Sequence, residues 1–275
     1  MSNCVLTVAG SDSGGNAGVQ ADLRTFHGYG LHGCTVFAAL TAQNPMAVSA
    51  IHEVPSAFVA AQLDAVLGVY DIAAMKTGML ASPEVIGVVA ERLLGHGEIK
   101  KVIDPVMVAT SGARLVSEVA VEALKEKLLP LATVITPNLP EAEVLAGGEL
   151  EPEVRRADAD HAERLARELH RRFGCAVLVK GGHGSGITAV DVLFDGQAVH
   201  RYSMPWVDSP ASTHGTGCTL AAALAAELAL GRDLVEAVAG AKRHVYEAIR
   251  GSYMVGRDCG VLGFVDTCHP AEVLV

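Results

Sequence analysis

Short runs dense in valine and isoleucine alternate along the chain with longer amphipathic stretches. Brief apolar runs read as strands buried on both faces, and helical periodicity between them gives βαβ units around a mostly parallel sheet. The pattern predicts strands at residues 4–9, 34–40, 72–75, 102–104, 133–136 and 176–179, with a hairpin of 188–194 and 198–202 turning at Asp195-Gly196. It predicts helices at 17–29, 56–68, 83–94, 118–129, 158–173, 216–230 and 233–249. Ser82-Pro83-Glu84 opens the third of these with a capping hydroxyl and a proline at the first helical position. The fold class expected is therefore α/β, with a small β-hairpin beside the parallel strands.

Composition narrows the picture. Of 275 residues half are apolar and only 19% are charged, so a large core can be buried and disorder is excluded. No linker rich in proline or serine divides the chain, and one domain over 1–275 is expected, with the weakly periodic tail 251–275 left unplaced. The longest stretch without a formal charge, 25–52, is interrupted by Gly28, Gly30, Gly33, Gln43, Asn44 and Pro45, which argues against a membrane span. The first residues lack the basic region and cleavage site of a signal peptide, so a cytoplasmic location is expected. A net charge of −10 argues against nucleic acid as a partner. Six scattered cysteines with no C-x-x-C pair read as thiols, and the charge-dense stretch 147–172 as a solvated surface. Glycine is the informative excess: 29 residues, about a tenth against a usual ~7%, gathered in clusters.

In an open α/β sheet ligands bind beyond the carboxyl ends of the strands, so the junctions there carry the candidate chemistry. After the first strand, Gly10 to Gly18 is small and flexible, and its one charged group, Asp12, either accepts from a substrate hydroxyl or caps the turn. Gln43 in Thr41-Ala42-Gln43-Asn44-Pro45 can read a heterocycle edge with its amide or simply form the turn. Met79 offers either a polarizable wall or core packing. Asp104 in one junction, with Asn138 and Glu141 in the next, suits a hydrated Mg²⁺ that bridges nucleotide phosphates, although Asn138 would also serve as a helix cap. Lys180-Gly181-Gly182 places a cation at another strand end.

The sharpest element is His214-Gly215-Thr216-Gly217-Cys218-Thr219, directly before an apolar helix. Amides at a helix N-terminus form an anion site, and the dipole there is expected to lower the Cys218 pKa and make it a useful base. The alternative is a glycine-capped helix with a small packed cysteine. Neither a Walker sequence nor G-x-G-x-x-G occurs, so a phosphate site must be built from these loops.

The segments AGSDSGGNAGVQADL, TAQN, MKTGML, DPVMVATSG, TPNLPEAEVL, VKGGH and HGTGCTLAAALA, in this order, resemble the hydroxymethylpyrimidine/phosphomethylpyrimidine kinases of thiamin biosynthesis, within the ribokinase superfamily. The likeness runs from Val5 to about Ile249. It implies a ribokinase-like sheet flanked by helices on both faces, a homodimer, and phosphorylation of 4-amino-5-hydroxymethyl-2-methylpyrimidine and then its monophosphate with ATP and Mg²⁺. By the same resemblance Cys218 matches the catalytic base, and Gly215, Thr216 and Gly217 the anion hole. Asp12, Gln43, Met79 and Val106 match the pyrimidine pocket, Lys180, Asn138 and Glu141 the nucleotide side, with Asp104 and Glu141 toward the metal. Cys218 stands where sugar and adenosine kinases of the superfamily have Asp, which disfavours a sugar. The chain departs from many relatives at Thr110, where they have Lys, and the C-terminal segment fits poorly. Pyridoxal kinases share this scaffold, and Gln43 argues against that substrate; a non-catalytic pyrimidine sensor would have no use for Cys218, Asn138, Glu141 and Lys180 together.

Overall fold

A computed structural model describes residues 4–107, 116–148, 159–182, 188–257 and 259–267. Among these residues nine strands form one sheet in the order β3-β2-β1-β4-β5-β6-β7-β8-β9. They are β1 (Cys4–Asp12), β2 (His32–Asn44), β3 (Ala47–Glu53), β4 (Ile72–Thr77), β5 (Lys100–Ile103), β6 (Val134–Ile135), β7 (Ala176–Val179), β8 (Thr188–Phe194) and β9 (Val199–Pro205). The six from β2 to β7 in spatial order are parallel, while β3 at one edge and the β8–β9 pair at the other are antiparallel. The expected hairpin thus extends the sheet.

The period of two along each central strand sends successive side chains into two apolar layers. Leu6, Met75, Ile103, Ile135 and Val177 join one layer, and their neighbours Val5, Ala74, Val102, Val134 and Leu178 join the other. The first layer is closed by α2 (Ser56–Leu67), α3 (Pro83–Leu93), α4 (Glu118–Ala123), α5 (Leu139–Leu145) and α6 (Ala159–Phe173). The second is closed by α1 (Gly18–Gly28), α7 (Thr216–Ala229) and α8 (Leu234–Arg250). Helix α7 is buried nearly all round, and its alanines let α1, α8 and the sheet approach it closely.

Four segments depart from the pattern reading. Strand β2 runs four residues past the expected end at Leu40 and turns back into β3, where Asn44 Oδ1 accepts the amides of Met46 and Ala47 at 2.9 and 3.0 Å. Most of β3 is exposed on both faces, so no alternation marked it. The helix expected over 118–129 is α4 followed by a π turn at Leu124–Leu128 and a 3-10 turn at Leu129–Leu131, where Pro130 cannot donate to the helix. The junction after β6 contains α5, a helix the periodicity does not predict, although Asn138 is its cap. The tail forms β10 (Tyr253–Met254) and β11 (Gly260–Val261), then ties back to α1 through Thr267 to Gly28 O. Thr110, His183, Asp158 and Cys268 lie outside the described residues, as does much of 147–172.

Candidate active site

The carboxyl ends of β1, β4, β5, β6 and β7 bring the candidate residues to one side of the sheet. Helix α7 points its N-terminus there. Its cap, Gly215, has φ +87°, and a Cβ built on it would lie 1.9 Å from the Asn16 carbonyl oxygen, so both backbone conformation and space require glycine. Among the described residues no side chain caps this helix, and the Gly215 carbonyl is taken by Thr219 through its amide and hydroxyl, each at 2.9 Å. The Thr216 amide donates to the Thr213 carbonyl at 3.5 Å, and the next first-turn amides, those of Gly217 and Cys218, have no partner within the helix, as an anion site needs.

Cys218, in that first turn, is partly exposed and is the hydrogen-bonding partner of the Gly18 amide at the start of α1. The expectation of a lowered pKa is corrected here. Burial pushes the thiol up, with Asp22 and Asp104 adding to it, and the opposing pull of Lys76 and the Gly18 amide does not offset that. Desolvation is the larger effect on this thiol than the helix terminus.

Lys180, just past β7, donates to Asp104 Oδ1 at 2.7 Å, and Thr136 Oγ1 donates to the same oxygen at 2.9 Å. Asp104 is 2% exposed. A Cβ on Gly217 would lie 3.6 Å from Lys180 Nζ, which places this ammonium beside the first turn of α7. Gly181 is required for packing, since a Cβ there would lie 1.8 Å from the Val190 carbonyl oxygen. Asn138 caps α5 in a reciprocal box: its Oδ1 accepts the Glu141 amide at 2.9 Å, while Glu141 Oε2 accepts the Asn138 amide at 2.8 Å. Glu141 Oε1 also accepts the Met107 amide at 3.3 Å. Burial raises the Glu141 pKa and the Asp104 charge adds to it, against the pull of Lys180.

Among the described residues no group of three or more His, Cys, Asp or Glu side chains forms a metal cage. Two carboxylates beside one lysine nevertheless match an ion that keeps its waters and takes phosphate oxygens, because such an ion needs few protein ligands.

On the other flank Asp12 is 2% exposed, its Oδ1 taken by the Gly14 amide at 2.8 Å and its Oδ2 by those of Asn16 and Ala17, both at 2.9 Å. Burial pushes its pKa up, but His214 and these amides outweigh burial and hold it below the usual carboxylate range. Of the two readings left open, organisation of the loop is the one this geometry displays. Gln43 lies within β2, half-buried, with Oε1 accepting from Thr41 Oγ1 at 3.3 Å. Met79 is buried with its Cε against Gly10, and Val106 is partly exposed.

Three features escaped the sequence reading. His214 Nε2 lies 3.9 Å from Asp12 Oδ2, and both ring nitrogens are buried without a hydrogen-bond partner among the described residues. Lys76 and Asp22 form a fully buried ion pair at 2.9 Å. Lys242 and Asp191 pair at 2.8 Å, and Asp191 Oδ1 accepts the Gly181 amide, tying α8 and β8 to the Lys180 junction. A lysine inside the apolar run ending β4 was a visible signal for Lys76; nothing local marked Asp22, which sits on an ordinary amphipathic helix.

Residues 12–263 match the sequence profile of the family described as phosphomethylpyrimidine kinase. The chain belongs to that family. A hydroxymethylpyrimidine/phosphomethylpyrimidine kinase from Rhizobium meliloti is 47% identical over 90% of this chain and 91% of its own length. A thiamine biosynthesis bifunctional protein of Geobacter sulfurreducens is 50% identical over 95% of this chain, which spans about half (52%) of that longer protein. Among solved structures, a phosphomethylpyrimidine kinase from Clostridium difficile superposes with a TM-score of 0.77 at 38% identity, covering 90% of this chain and 99% of the other. A Bacillus subtilis pyridoxal kinase superposes with a TM-score of 0.86 at 34% identity, covering 97% and 98%. Phosphomethylpyrimidine kinases and pyridoxal kinases thus share this backbone, and the difference between substrates must lie in side chains at the site.

Proposed function

We propose that this member of the family transfers the γ-phosphoryl group of ATP to the hydroxymethyl oxygen of 4-amino-5-hydroxymethyl-2-methylpyrimidine, and then phosphorylates the resulting monophosphate, for thiamin biosynthesis in the cytoplasm. The observation that carries this reading is the meeting of the uncapped α7 N-terminus with the Lys180–Asp104–Glu141 cluster, Cys218 lying in that same first turn. Cys218 accepts the proton of the attacking oxygen, and the amides from Thr216 to Cys218 hold the charge that develops on the transferred group. Lys180 neutralises phosphate charge. Asp104 and Glu141 are the carboxylates that would hold Mg²⁺, which when bound shields the phosphate oxygens.

Gln43 offers two donors and one acceptor, the complement of an exocyclic amine beside a ring nitrogen, whereas a pyridoxal ring presents a hydroxyl and an aldehyde. Unpaired polar groups in such a pocket cost on the order of 1–3 kcal/mol. A coupled assay with the pyrimidine, its monophosphate and pyridoxal tests the assignment. The pyrimidine is expected to show the highest kcat/KM among the unphosphorylated substrates, and a higher value for pyridoxal would replace this reading with a pyridoxal kinase.

A homodimer is part of the proposal. Around β3, the edge strand of the sheet, Met46 in the turn, Ile51 on one face, and Leu40 of β2 and Phe58 of α2 are apolar side chains 73, 42, 47 and 61% exposed. A second copy of the chain fits this edge, and Met46→Asp with Ile51→Asp should halve the mass measured by light scattering. An unchanged mass would exclude this edge as the contact.

A further inference from the structure

We propose that the buried Lys76–Asp22 ion pair is a positioning element for Cys218: a fixed pair of charges beneath the thiol that governs how readily it releases its proton. The inference rests on the reading of Cys218 as the base.

Both side chains are fully buried, with Lys76 Nζ donating to Asp22 Oδ1 and Oδ2 at 3.0 and 2.9 Å and Thr7 Oγ1 donating to Oδ2 at 2.6 Å. A buried pair of this kind is poor evidence for stability, because apolar side chains of similar volume usually serve as well. Ala74, two residues before Lys76 on the same strand face, and Val102, opposite it on β5, are indeed apolar. Location supplies the account. Asp22 stands four residues after Gly18 on α1, and helical side chains at that spacing share a face and lean toward the N-terminus. The carboxylate therefore lies beneath Gly18, whose amide faces Cys218. Lys76 approaches from β4, its ammonium 3.0 Å from where a Cβ on Gly78 would lie, and so at the carboxyl end of the strand, where the site is. Helix α7 packs across both α1 and β4.

The charged groups acting on the thiol are Lys76 from β4, Asp22 from α1, Asp104 after β5 and Lys180 after β7. Lys76 is the strongest of the charges acting on it, and it favours the thiolate; Asp22 opposes it. Burial alone would pull Lys76 down, but Asp22 and Asp104 keep it an ammonium; burial pushes the Asp22 carboxyl up, against the pull of Lys76 and the Thr7 hydroxyl.

The two charges thus pull on Cys218 in opposite directions, so removing each should shift the thiol with opposite sign, whereas a loss of packing would shift both variants alike. The test is the pH dependence of Cys218 alkylation by iodoacetamide in the full-length enzyme, read by mass spectrometry of the Cys218 peptide. Lys76→Met is expected to move the midpoint up and slow alkylation at pH 8 roughly tenfold, whereas Asp22→Asn moves it down. Shifts in the same direction, or none, overturn the proposal. If either single variant fails to fold, the double variant Lys76→Met/Asp22→Asn carries no lone buried charge and is expected to titrate above the wild type. An unchanged midpoint in that variant also overturns it. Turnover by Cys218→Ala is a separate measurement, since it tests the base itself and leaves the midpoints of the other variants untouched.

Discussion

At the scale of single residues the proposed chemistry turns on the thiol of Cys218. Its pKa is raised by burial, so the free enzyme holds it mainly protonated at neutral pH. Activity that depends on its thiolate should rise as pH increases toward the thiol pKa. Cys218→Ala is expected to lower kcat by roughly 10²–10⁴ and to abolish that rising limb, with ligand affinities little changed. A variant with wild-type turnover and the same pH profile would leave the loop an anion hole without a base. The residues around Cys218 were legible in the sequence to different degrees. Gly215 was visible because glycine beside a helix start has few other uses, and its φ of +87° now gives the reason. Asp12 was visible as a lone charge among small residues, but local spacing could not tell that its oxygens would all turn inward to the loop amides. The expected fall in the Cys218 pKa failed because a helix terminus is a local feature while desolvation depends on what the whole fold places around the sulfur.

Among the elements, α5 shows how a short helix can be both scaffold and site. Asn138 and Glu141 satisfy its first amides, while the Asn138 backbone bridges to Lys180 and Glu141 lies within reach of the Lys180 and Asp104 charges; in the proposed function both serve the nucleotide. Asn138→Ala should therefore destabilise the protein by about 1 kcal/mol in urea denaturation and also raise the KM for ATP. Asn138→Ser restores the cap, so recovery of stability with a persisting defect in KM separates the two roles; full recovery of both would make Asn138 a cap and nothing more. The Asn-x-x-Glu spacing that announces such a box was present in the sequence, but seven residues of helix give too little periodicity to be read. Central strands and long helices were legible because both of their faces, or one whole stripe, are buried. Strand β3 was not, because most of its residues meet solvent on both faces and its position is fixed only by the ladder to β2.

For the whole molecule, the layer beneath α1 and α8 carries a pH-sensitive term far from the chemistry. His244 is 5% exposed, stacks on Tyr29 at 5.0 Å and has no partner for Nδ1, and burial pushes its pKa to about 4. In the unfolded chain it would titrate near 6.5, so as pH falls below that value the unfolded state takes up a proton that the folded state excludes. Stability is thus lost between about pH 6.5 and 4, by roughly 3 kcal/mol at full effect. His244→Phe keeps the stack and should flatten the decline in unfolding free energy over that range; equal slopes in both proteins would refute the assignment. The tail lies over this same region: Thr267 donates to the carbonyl of Gly28 through its amide at 2.9 Å and its hydroxyl at 2.8 Å, across 239 residues of sequence. That tie gives the fold a timetable. A ribosome adding roughly 5–20 residues each second needs on the order of 10–50 s between the two partners. Throughout that interval helix α1, which carries Asp22 and the Gly18 amide, waits without this clasp, which closes only once Thr267 has been made.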